Sequence, residues 1–133
     1  MDTVFKTDQI NILSSRLGVN KSDVRLVLDN YISRLVSKLE NGETIKFLNI
    51  CYLVNEEQGK NKYHETLAYI SNEIGNSTKL GKELVFRILS EFSELIADDV
   101  KKFYSYTVWG LLNISCCEYT PGQYKVRIRK ASK

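Results

Sequence analysis

The sequence is poor in the residues that staple, kink or metallate a fold. Its 133 residues include one proline, one histidine and three cysteines. Cys51, Cys116 and Cys117 are odd in number and lack framework spacing, which argues against a disulfide scaffold and fits a reducing compartment. No C-x-x-C occurs and His64 stands alone, so no zinc-ligand set is expected. No apolar run approaches the roughly 18–20 residues that cross a bilayer. The start, Met1-Asp2-Thr3-Val4-Phe5-Lys6, has no basic segment followed by an apolar one, so no secretory signal is expected. Nucleophile–base pairs, a Gly-rich phosphate loop and paired carboxylates in a catalytic arrangement are missing too. A lopsided charge is also absent: 19 basic and 16 acidic residues leave a net +3, which permits nucleic-acid binding without demanding it. The expectation is a chain with no catalytic residues, cofactor, metal or small-molecule substrate and no place in a membrane.

What is present is helical periodicity, since 43% of residues are hydrophobic and they are regularly spaced. Thr7 is a good N-cap with Asp8 in the first turn, Ile10, Leu13 and Leu17 share one helix face, and Gly18 supplies a C′ stop. Asn20 opens a second, longer helix in which Val24, Val27, Leu28, Tyr31, Ile32, Leu35, Val36 and Leu39 recur at steps of three and four. Asn41-Gly42 ends it. Residues 45–54 are β-branched and aromatic and predict one strand. The polar stretch 56–62 reads as a linker or loop.

The pattern then returns. Leu67, Ile70 and Ile74 repeat the first helix, with Gly75 as its stop. Leu84, Ile88, Phe92, Leu95 and Ile96 repeat Val24, Leu28, Ile32, Leu35 and Val36 at an offset of 60. Residues 111–114 echo 47–50. Across the three segments the offset drifts from 57 to 60 to 64, which predicts an internal repeat with small insertions. Thr120-Pro121-Gly122-Gln123 is turn chemistry, and residues 124–129 alternate as a strand.

The first copy resembles the HU/IHF family of bacterial chromosome-architecture proteins. Lys6-Thr7-Asp8-x-Ile10-Asn11 resembles the family's entry to helix one, Asn20-Lys21-x-Asp23 its entry to helix two, and Asn41-Gly42-Glu43 the turn before its first strand. The second copy resembles the family by pattern alone. Family members are obligate dimers, so the resemblance implies an α+β, mostly α fold. In it two tandem modules, 1–57 and 64–133 joined by a linker at 58–63, form a single-chain pseudo-dimer with two small antiparallel sheets. Two departures stand out. Asn49-Ile50-Cys51 and Asn113-Ile114-Ser115 replace the family's Gly-Phe-Gly motif, and neither copy has room for the β-ribbon arm whose proline wedges between base steps. Pro121 belongs to a turn and takes no wedge role.

Two sets of residues are candidate contacts. Lys125, Arg127 and Arg129 alternate on one strand, with Lys130 and Lys133 following. Such a row suits phosphates, through counterion release, or an acidic protein partner, or simply a solvated face. Trp109, Tyr104 and Tyr106 form an aromatic cluster that suits either protein docking or core filling. Vicinal Cys116 and Cys117 fall on opposite faces of a strand. Two functions follow from the resemblance. One is a structural or assembly protein working through protein–protein contacts as a homo-oligomer or larger assembly, such as a phage neck or tail ring of the kind encoded by crAss-like phages. The other is a non-specific double-stranded DNA-binding architectural protein. Loss of the arms and the modest charge tilt the sequence toward assembly, with the chain in the cytoplasm or in a virion.

Overall fold

The structure, a computed structural model, describes residues 2–40, 43–47, 51–54, 61–63, 67–103, 105–109, 111–120 and 123–130. Four helices account for most of them. Strand β1 (Asp2–Val4) leads into α1 (Lys6–Leu17) and α2 (Lys21–Glu40), followed by β2 (Glu43–Phe47) and β3 (Cys51–Val54). Strand β4 (Asn61–Tyr63) leads into α3 (Leu67–Thr78) and α4 (Lys82–Phe103), followed by β5 (Ser105–Val108), β6 (Leu112–Thr120) and β7 (Gln123–Lys130).

The helices arise where the apolar period places them, but two of their ends differ from expectation. The N-cap of α1 is Phe5, which makes no side-chain cap bond, and Thr7 lies inside the first turn. Gly18 does end α1, in the left-handed region at φ 65°, with its N–H on the Ser14 carbonyl at 2.9 Å. Gly75 ends nothing. It is buried inside α3, where a Cβ would come within 2.7 Å of the Gly81 carbonyl carbon and the Lys82 nitrogen. A helix–helix approach that close needs a glycine. The left-handed residue after α3 is Lys79, at φ 62°.

These ends correct the drifting offset. Lys6 and Leu67 open the short helices, Lys21 and Lys82 the long ones, and Gly18 and Lys79 the turns between, so one constant offset of 61 relates the two helix pairs. Burial follows it at each buried helix position of the first pair, although Leu67, Gly75 and Leu95 of the second pair are buried where Lys6, Ser14 and Arg34 are only half-buried. Val24, Val27, Leu28, Tyr31, Ile32 and Leu35 are buried in α2, and Val85, Ile88, Leu89, Phe92, Ser93 and Ile96 are buried in α4. Leu13 and Ile74 match in the short helices, as do Ile10 and Ser71. Tyr31 and Phe92, equivalent at this offset, meet edge to face with centroids 6.4 Å apart. Each short helix also packs on the other pair's long helix: α1 on α4, with Arg16 on Glu91 at 3.3 Å, and α3 on α2, with Arg34 on Glu73 at 3.0 Å.

The strands form one seven-stranded mixed sheet, ordered β1-β5-β6-β7-β3-β2-β4, in place of the two small antiparallel sheets expected. The single strand expected over 45–54 is a hairpin, with Phe47 opposite Cys51. Part of the expected linker, 61–63, is β4. The order is symmetric about β7. Outward on one side come β6, β5 and β1, and on the other β3, β2 and β4. The outer strands are exchanged: β1, ahead of α1, pairs in parallel with β5, which follows α4. Strand β4, ahead of α3, pairs in parallel with β2, which follows α2. The pair Asp2–Tyr106 maps onto Tyr63–Ile45 under the same offset of 61. Strands β6 and β7 run antiparallel with Thr120 opposite Gln123, and the Pro121-Gly122 turn between them lies outside the described residues.

Candidate nucleic-acid interface

The sheet has one face toward the helices and one away from them, and register assigns residues to each. Val108 and Leu112 are fully buried and sit opposite one another on β5 and β6. Leu112 pairs with Lys130, Ile114 with Ile128, and Cys116 with Val126. Alternation therefore puts these residues on the helix side and Lys125, Arg127 and Arg129 on the far side. The assignment carries across the sheet. Val126 is in register with Leu53, Leu53 with Ile45, and Ile45 with Tyr63. Lys46, opposite Tyr52, and Lys62, in register with Thr44, consequently join the far face.

That face holds five cations and no acid among the described strand residues. The three acidic strand residues, Asp2, Glu43 and Glu118, all fall on the helix side, in register with Tyr106, Asn61 and Tyr124. Since the whole chain carries +3, everything outside these five cations sums to −2. The modest net charge conceals a segregated one. Spacings set the size of the patch: strands about 4.8 Å apart and residues about 3.3 Å apart give roughly 14 Å from β7 to β4 and 13 Å from Lys125 to Arg129.

Of the residues singled out by sequence, Lys125, Arg127 and Arg129 come together here. Lys130 falls on the opposite face, and Lys133 and His64 lie outside the described residues. Lys46 and Lys62 were missed. Lys46 was legible in the alternation Thr44-Ile45-Lys46-Phe47, whereas Lys62 was hidden in a stretch read as linker. Cys116 and Cys117 do fall on opposite faces, with Cys117 in register with Lys125.

The aromatic cluster divides. Tyr106 is on the helix side, opposite Ile114, and Tyr104 lies outside the described residues. Trp109 is half-buried in the β5–β6 turn at φ 57°. Its ring lies 6.3 Å from Phe92. Its indole N–H donates to Gln9 Oε1 at 2.7 Å, and the Gln9 amide donates to Asp99 at 3.4 Å. Lys6, ion-paired with Asp29, stands 5.5 Å above the indole ring. This is a core-filling arrangement that ties α1 to α4 and the sheet. Nearby Phe5 and Leu111 are exposed.

Among the described residues no group of His, Cys, Asp and Glu could hold a metal ion, and no helix is long and apolar enough to cross a membrane. Comparison with protein-family models, with curated proteins and with solved structures finds no match.

Proposed function

We propose that the chain is a non-enzymatic nucleic-acid-binding module, built as a fused pair of HU/IHF-like halves, that holds a duplex backbone on the sheet face turned away from its helices. The observation carrying this reading is the segregation of charge: among the described strand residues, five cations and no acid fall on one face of a near-neutral chain. Lys and Arg on a broad surface gain by releasing condensed counterions from phosphates, whatever the base sequence. The constant offset of 61, the Tyr31–Phe92 meeting and the exchanged strands support the fused pair. In this reading the duplex is held along its backbone, without the wedge by which the family bends it.

The test is anisotropy with a random-sequence 25-bp DNA duplex. Five phosphate contacts predict a log–log salt slope of about −4.5, so Kd should weaken about 500-fold between 50 and 200 mM salt. Arg127→Ala and Arg129→Ala should each weaken binding equally on every sequence. No binding at 50 mM salt would refute the proposal.

A second reading, a virion assembly protein acting through protein contacts, is favoured by the exposed Phe5 and Leu111. These flank Trp109 at one end of the sheet and are 61% and 48% exposed. A ring or higher oligomer in mass photometry, together with failure to bind DNA, would support it.

A further inference from the structure

The two-fold arrangement of the backbone is not matched by the charges on the far face of the sheet. On the β3–β2–β4 side that face carries Lys46 and Lys62. On the β6–β5–β1 side the rows leaving β7 are uncharged. Arg129 leads to Asn113, Thr107 and Thr3, and Arg127 leads to Ser115 and Ser105. At offset-equivalent positions the contrast lies at Thr107, which stands where the first half has Lys46, while Ser105 and Thr44 are alike.

We propose that the nucleic acid is bound off the two-fold axis, over β7, β3, β2 and β4, with Lys46 and Lys62 holding phosphates and the β6–β5–β1 flank left out of the footprint. This rests on the nucleic-acid reading above and adds a direction to it. A symmetric protein cannot tell one end of a duplex segment from the other, whereas a one-sided patch holds the backbone on one flank only. The physical ground is the range of the interaction. At 0.1 M salt the Debye length is about 10 Å, and β5 is two strand spacings, again about 10 Å, from β7. Phosphates drawn to β7 and β2 therefore gain little from the hydroxyl-bearing flank.

The test uses the full chain and the same 25-bp duplex at 0.1 M salt, with circular dichroism melts to establish that each variant is folded. Each lysine–phosphate contact releases about 0.9 of a condensed ion and is worth about eightfold in Kd. The double variant Lys46→Thr/Lys62→Thr should therefore bind about 60-fold more weakly and flatten the salt slope by about 2. The double variant Ser105→Glu/Thr107→Glu, which places two anions on the other flank, should stay within about threefold of the parent with its slope unchanged. Equal losses from the two doubles, or no loss from the lysine double, would overturn the one-sided footprint while leaving the nucleic-acid reading intact. Should Ser105→Glu/Thr107→Glu not fold, Thr107→Lys decides the point, because a gain approaching eightfold there would place the duplex on the axis. Failure of the parent chain to bind at 50 mM salt would overturn both.

Discussion

Gln9 offers a sharp test of how α1 is joined to the sheet. It is buried at 1% exposure and serves as acceptor for the indole N–H of Trp109 at 2.7 Å. Gln9→Leu keeps the volume and the helix propensity but removes that acceptor. A buried donor left without a partner costs about 1–3 kcal/mol, and we take about 2 kcal/mol. Unfolding entropy of about 2.1 cal/mol/K per residue, over a chain of this length, converts this to a fall in Tm of about 7 °C. Trp109→Phe removes the donor instead, so the double variant Gln9→Leu/Trp109→Phe should cost less than the sum of the singles, with a coupling of about 1 kcal/mol. Thermal melts followed by circular dichroism measure all three. Trp109 is the sole tryptophan, so Gln9→Leu should also alter native fluorescence. A Gln9→Leu chain as stable as its parent, or effects additive within about 0.5 kcal/mol, would refute the reasoning.

Two backbone predictions follow from the helix ends. Gly75→Ala sets a methyl 2.7 Å from the backbone of Gly81 and Lys82; overpacking there should cost about 2 kcal/mol in a urea titration, with the m-value unchanged. Lys79→Gly relieves a left-handed lysine at the position where the first half has Gly18, and should raise stability by about 1 kcal/mol in the same titration. By contrast, removing the Arg34–Glu73 pair, whose side chains are 27% and 41% exposed, should cost under about 1 kcal/mol in a double-mutant cycle, because solvent screens it.

The helices were legible because helical burial is local. A residue and its neighbours three and four positions on occupy one face whatever the rest of the chain does. That is why the stripes from Val24 to Leu35, and Ile88, Phe92, Leu95 and Ile96, stand out as core, while Val36 and Leu84 on the same stripes are only half-buried. The likeness of the two helix pairs was legible for the same reason, but the offset between them was not. Matching Gly18 to Gly75 took two glycines as one signal, when Gly18 serves a left-handed turn and Gly75 a close helix contact. The true partner of Gly18 is Lys79, a residue type that announces no turn.

The sequence by itself determined the helices and the apolar faces they bury, properties of contiguous residues. Only the tertiary structure decided how charge is distributed. Lys46, Lys62 and Arg127 lie far apart in the chain and share a face through the registers of β4 with β2, β2 with β3, and β3 with β7. A strand's own alternation says that its residues divide between two faces. Which face meets the helices is settled by buried neighbours such as Val108 and Leu112, and through them a chain of net charge +3 acquires a sheet face on which the described strand residues include five cations and no acid.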